Sequence, residues 1–194
     1  MLNKLGSKLV SSLRRFGLSE QAASAIEFAM VGPVFILIMG VTIESGVMLT
    51  TEYVLQSAVT DAARLVRTGQ AQTSPLSKAA FKTKICNTAN LIMNCTGAVT
   101  VYVNSDTNFQ NLKNDLPDFL TIGPSVAGSP VAADCYKTGA PSQPAAVVAT
   151  YDWYFKVWGM SVFGNIGGGI ARRLVGFAIF QNEPFPPVAT TTCT

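Results

Sequence analysis

The chain has 194 residues, 48% of them hydrophobic and only 13% charged, well below the roughly one quarter charged that is usual for soluble globular chains. Its net charge of +3 resides in residues 1–22, where Lys4, Lys8, Arg14 and Arg15 outnumber Glu20; the ten basic and ten acidic residues beyond them cancel. A nucleic-acid surface, which needs Lys and Arg clustered on the folded domain, is excluded on that ground, and the length allows about one domain plus an appendage.

Residues 1–22 form a basic leader in which Leu2, Leu5, Leu9, Leu13 and Phe16 make one apolar face, the pattern of an amphipathic helix on a membrane surface. Residues 22–43 follow as an apolar run whose only charge is Glu27. At about 1.5 Å per residue these 22 residues span roughly 33 Å, close to the thickness of a bilayer core. The run is longer than the h-region of a cleaved secretory signal. Within it Pro33 removes a ladder hydrogen bond and predicts a mild kink. A carboxylate at a membrane helix centre costs about 2.5–3.5 kcal/mol and less near an interface. Glu27 therefore calls for a partner; the alternative is a side chain that reaches back to the lipid headgroups. Four Lys or Arg residues precede the run and none lies between Glu44 and Asp61, which predicts a cytoplasmic N-terminus and an exported C-terminal domain.

Val47, Thr51, Val54/Leu55, Ala58, Ala62 and Leu65/Val66 recur at three- and four-residue steps, so one helix is expected from about 23 to 67, its first half in lipid and its second half packed on a domain. Asp61 and Arg64 are spaced to pair on its outer side, and Gly69 offers a C-cap. Thr73-Ser-Pro-Leu76 reads as a cap and first turn for a second helix near 75–93, with Phe81, Ile85, Ala89 and Ile92 inward. Val99, Val101 and Val103 alternate with polar residues, predicting a strand with one buried face. The polar stretch 105–144 is long for a loop, and a short helix is expected at Phe109–Leu116. Strands follow at Ala146–Val157 and Arg172–Gln181, and residues 119–136 have room for a fourth. The intervening Gly164-Asn-Ile-Gly-Gly-Gly169 lacks the Lys-Ser/Thr of a phosphate loop and reads as a connection.

Cys86, Cys95, Cys135 and Cys193 all lie on the exported side, without CxxC spacing and without any histidine in the chain. Disulfides are favoured over zinc. Three pairings are possible; the short loop between Cys86 and Cys95 favours that pair, leaving Cys135 to tie the tail at Cys193. The economical architecture is α+β, a long N-terminal helix laid across a small antiparallel sheet, divided as leader 1–22, helix 23–69 and exported domain 70–194.

The order of basic leader, small residues, Ala25-Ile-Glu-Phe-Ala-Met30 and a hydrophobic helix with an early proline resembles the TadE-like proteins of tight-adherence (Flp-type) pilus assembly. Ile43-Glu-Ser-Gly46 and Gln56-Ser-Ala-Val-Thr-Asp-Ala-Ala-Arg64 look like that family's helix continuation, and the closing strand running into Gln181-Asn-Glu-Pro-Phe185 is similar to its end. The resemblance covers about residues 14–69 and reappears at 170–185. It implies a pilin-like fold and a minor pilin or pseudopilin in a bacterial inner membrane, with its C-terminal domain periplasmic. It also implies a prepilin peptidase cutting on the cytoplasmic side between Ala22 and Ala23, where Ala22 stands in place of the usual Gly. The implied partners are the membrane, that peptidase, other pilins or minor pilins and the pilus assembly platform. No cofactor, metal or catalytic residue is expected. Cleavage would free an α-amine at Ala23, charged at neutral pH with an unperturbed pKa of about 7.7–8.0, and this amine, in the same or a neighbouring subunit, is the partner that Glu27 lacks.

The competing reading is an uncleaved single-pass scaffold or adaptor of a secretion or pilus system, held partly by its amphipathic leader. A tethered enzyme is opposed by the absence of histidine, of a nucleophile elbow and of a catalytic acid pair; Asp115 and Asp118 read as turn residues. Trp153, Trp158, Met160 and Phe163 are candidates to face a partner or the bilayer surface, with core packing favoured for Trp153.

Overall fold

The computed structural model describes residues 20–74, 76–90, 92–93, 95–121, 135–187 and 193. The leader up to residue 19, with its expected amphipathic face, lies outside the described residues. Helix α1 runs from Glu20 to Arg67 and continues through Pro33. Its polar residues do not compete with the backbone: the hydroxyls of Thr42, Thr50, Thr51 and Thr60 each donate to the carbonyl four residues back, at 2.8–2.9 Å. The chain divides into two compact units between Ile43 and Glu44.

In the second unit three antiparallel strands, β1 (Val99–Ser105), β2 (Pro144–Tyr154) and β3 (Ala171–Gln181), form a sheet in the order β1-β2-β3. Register places Val101 beside Ala149 and Ala149 beside Gly176. One face carries Val99, Val101, Val103, Val147, Ala149 and Leu174, which share a core with Leu55, Ala58, Val59, Ala62 and Val66 of α1. Phe81, Ile85 and Ala89 of helix α2 (Lys78–Ala89) complete that core. Each large side chain so buried contributes about 1.5–3 kcal/mol. The inward stripe of α1 starts at Met48, whereas Val47 is exposed; one residue turns the face by about 100° on a helix of 3.6 residues per turn. Asp61 and Arg64 are both exposed and unpaired among the described residues; the ion pair near this end joins Arg67 to Glu183 at 3.3 Å.

Gly69, at φ +77°, ends α1, and a helical turn at Gln70–Thr73 follows. The cap of α2 is consequently Ser77 and not Thr73: its Oγ accepts the Ala80 N–H at 3.2 Å. At the other end Met93 is buried while Ile92 is exposed. Strand β1 is buried on both faces, against the expectation of one. Its second face is covered because Tyr102 and Val148 pack with Cys135, Leu116, Phe119 and Val175. Helix α3 (Phe109–Asp115) is capped by Asn108, whose Oδ1 accepts the Asn111 N–H at 2.8 Å. Asp118 forms a turn, accepting the Leu120 N–H at 3.0 Å. Most of the segment suggested for a fourth strand lies outside the described residues; at its end Tyr136 makes a single parallel bridge to Val103.

Two disulfides join Cys86 to Cys95 and Cys135 to Cys193, the favoured pairing. That second face of the sheet also holds a buried ion pair: Arg173 Nε donates to Asp152 Oδ1 at 2.6 Å and Nη2 to Oδ2 at 2.9 Å, while Nη1 reaches the Leu120 carbonyl. The Tyr136 ring packs on Phe81 at 5.7 Å. Its buried hydroxyl meets no acceptor among the described residues, and burial pushes its pKa up to about 12.

Candidate functional site

From Phe28 to Ile43 α1 carries no charge, and its large apolar side chains are exposed on all sides, including Phe28, Val31, Phe35, Ile36 and Ile43. The helix contains an 18-residue window with a mean hydropathy of 2.2, of which only 6% is buried. A soluble core helix of that composition would be covered by its own protein. This helix is long and apolar enough to cross a membrane.

Two carboxylates, Glu27 and Glu44, bracket the uncharged stretch in the sequence. Glu27, at the start, is exposed. The Ala22–Ala23 bond lies within the first turns of α1. Glu44, at the far end, is only 7% exposed. Its Oε1 accepts the Lys156 N–H at 2.6 Å and its Oε2 the Val157 N–H at 2.9 Å. Such charge-assisted bonds to backbone amides are stronger than neutral ones. They also explain why β2 stops at Tyr154 and not at the expected Val157: the two amides turn away from the sheet to the carboxylate.

Farther along, Gln56 behaves as a fragment of a fourth strand. Its Nε2 donates to the Phe177 carbonyl at 2.9 Å and its Oε1 accepts the Phe177 N–H at 3.0 Å, so the open edge of β3 is satisfied there. Beside this contact Gly176 lets the helix approach closely; a Cβ would stand 3.0 Å from the Leu55 carbonyl oxygen. At the helix end the Glu183 N–H donates to the Arg67 carbonyl at 2.8 Å, and the Phe185 ring lies over Gly69. The two separated stretches singled out in the sequence, the helix and the segment 170–185, therefore meet in space.

Residues 22–64 match the TadE-like protein family. No curated protein and no solved structure matches the chain. The match covers less than a quarter of the chain and lies within α1. The TadE-like segment begins at Ala22, the residue before the junction that the resemblance assigned to a peptidase, and takes in Glu27, Pro33, Glu44 and Gln56. It thus joins the exposed apolar stretch to the surface that carries the sheet.

Sequence reasoning had placed Glu44 and Gln56 inside motif blocks without assigning either a role. Their partners are main-chain groups 112, 113 and 121 positions away, which leave no mark in side-chain patterns. Trp153 is half-buried against the core, as its alternation indicated, while Trp158 and Phe163 are exposed and Met160 is buried. Gly167, Gly168 and Gly169 all have positive φ and form a tight 3-10 turn, so the connection they make is a shaped one. Among the described residues no three Cys, Asp or Glu side chains gather as a metal site.

Proposed function

We propose that the protein is a membrane-anchored minor pilin or pseudopilin of a tight-adherence (Flp) pilus assembly system, a structural component and not an enzyme. The observation that carries this reading is the TadE-like match beginning at Ala22, on a helix whose next stretch exposes apolar side chains all round. In this reading a prepilin peptidase removes residues 1–22 on the cytoplasmic side. The helix stays in the inner membrane, and the disulfide-bonded unit stands in the periplasm, where disulfides persist.

The freed Ala23 amine lies one helical turn from Glu27, and pairing between them, within or between subunits, neutralises both charges in a low-dielectric setting. Partners are then other pilins or minor pilins, the assembly platform and the peptidase itself. The mass of the chain purified from membranes tests the proposal. Loss of the first 22 residues, leaving Ala23 at the N-terminus, is the expected result. An intact leader would favour the second reading, an uncleaved single-pass scaffold or adaptor.

A further inference from the structure

The connection between β2 and β3, residues 155–170, exposes an unusual set of side chains. Trp158 is 86% exposed, Val162 78%, Phe163 55% and Ile170 51%. This exposure does not come from a loose loop. Met160 and Ile166 are buried beneath it, the Gly164 N–H donates to the Ser161 carbonyl at 3.0 Å, and the Asn165 and Ile166 amides both reach the Ala171 carbonyl. Asn165 Oδ1 accepts the Arg173 N–H at 2.8 Å, and Arg172 Nη1 donates to the Phe163 carbonyl at 3.3 Å. Gly164 and Gly169 pack so closely that a Cβ on Gly164 would lie 2.3 Å from the Gly169 carbonyl oxygen. The fold thus holds a shaped knuckle with an apolar tip, costly to leave in water.

What faces the tip follows from where the knuckle is pinned. Glu44 holds the amides of Lys156 and Val157, the residues immediately before Trp158, and Glu44 directly follows Ile43, the last residue of the uncharged stretch. The knuckle therefore starts within one hydrogen bond of the point where α1 leaves its apolar run. At that depth a bilayer changes from acyl chains to headgroups, the region where Trp is enriched because its ring is apolar and its N–H polar. The charge pattern agrees. From Trp153 to Asn182 there is no acidic residue, and the cations are Lys156, Arg172 and the Asp152-paired Arg173. Lys156 is exposed and Arg172 half-buried, suited to the headgroups of an anionic membrane.

We infer that the β2–β3 knuckle is a second membrane contact, in which Trp158, Val162, Phe163 and Ile170 enter the headgroup–acyl boundary of the bilayer that α1 crosses, with Glu44 fixing their depth. The contact would set the height and tilt of the exported unit on the membrane. The inference rests on reading residues 22–43 as the span, and the test separates the two.

Trp153→Phe leaves Trp158 as the only tryptophan and, among the described residues, loses no hydrogen bond, since the Trp153 Nε1 has no acceptor there. The full chain is reconstituted into liposomes of phosphatidylcholine and phosphatidylglycerol containing lipids brominated either near the headgroup or at the chain end. The expected result is a blue-shifted Trp158 emission, most of which is lost with bromines near the headgroup and less with bromines at the chain end. Phe35→Trp in a chain whose two native tryptophans are changed to Phe reports the span, with strongest loss from chain-end bromines. If Phe35→Trp is quenched and Trp158 is not, the knuckle proposal is overturned and the span stands; shielding of Trp158 only when a pilus component is added would give the surface to a protein instead. If neither is quenched, the span reading falls and takes the inference with it. Glu44→Ala should weaken the headgroup-region quenching of Trp158 while leaving Phe35→Trp unchanged, and equal quenching would remove Glu44 from the account.

Discussion

Replacing Asp152 by Ala tests the energetics of the sheet most directly. The guanidinium of Arg173 has no exposed side-chain surface, and Asp152 shows 5% of its own. Two bonds of 2.6 and 2.9 Å join them in the fork geometry that suits Arg and carboxylate. The variant takes away the carboxylate that accepts two of the guanidinium's bonds, so a buried cation loses the counter-charge beside it in the sheet. Breaking a buried pair from one side costs about 3–5 kcal/mol. For a unit of this size each kcal/mol lowers Tm by about 2–4 °C, which makes the expected loss about 6–20 °C. Urea unfolding of the full chain in micelles, with the disulfides intact and followed by tryptophan emission, measures the change, since Trp153 is the next residue along β2. Asp152→Ala with Arg173→Met removes the charge as well and should recover most of the stability, giving a large coupling in a double-mutant cycle. A loss below about 1 kcal/mol for Asp152→Ala would place the pair among ordinary exposed ion pairs and refute the reasoning.

Gly176→Ala should cost about 1–3 kcal/mol, because its Cβ would meet the Leu55 carbonyl oxygen at 3.0 Å and Val59 Cγ2 at 3.1 Å and push α1 off β3; thermal unfolding reads this directly. Tyr136 has a folded-state pKa of about 12 against an ordinary 10.0, so the neutral phenol is the form the fold favours. The associated stability is complete below pH 10 and is lost as pH rises from about 10 through about 12; Tyr136→Phe should remove that part of the alkaline decline in parallel urea titrations. Under the proposed function, Glu27→Val should insert into the membrane at least as well as the native chain yet fail to enter assembled pilus material, scored by fractionating membrane and sheared pili. Normal assembly of that variant would end the pairing role for Glu27.

Much of the architecture was legible because it follows local periods. A 3.6-residue rhythm marked α1 and α2, alternation marked β1 and β2, and the short spacing of Cys86 and Cys95 made their pairing the favoured one. The errors share a cause. Val47 and Met48 are both apolar, so periodicity alone did not decide which faced inward; the sheet did. Thr73 and Ser77 are both good caps, and Gly69 with its left-handed φ decided between them by spending the next turn before α2 begins. The polar alternation of β1 hid a second buried face, since the cover comes from Leu116, Phe119 and Cys135, which are distant in the chain.

The sequence by itself determined the membrane-length helix, the α+β class and the resemblance that the TadE-like match at 22–64 upholds. These are properties of composition and short-range order, readable wherever side chains repeat. Only the tertiary structure decided what Glu44, Gln56 and Asp152 do. Glu44 and Gln56 bind backbone amides and carbonyls, which every residue type supplies alike, and Asp152 meets Arg173 only because β2 and β3 pair in one register. A main-chain partner carries no letter in the sequence, so its identity waits until the chain has folded.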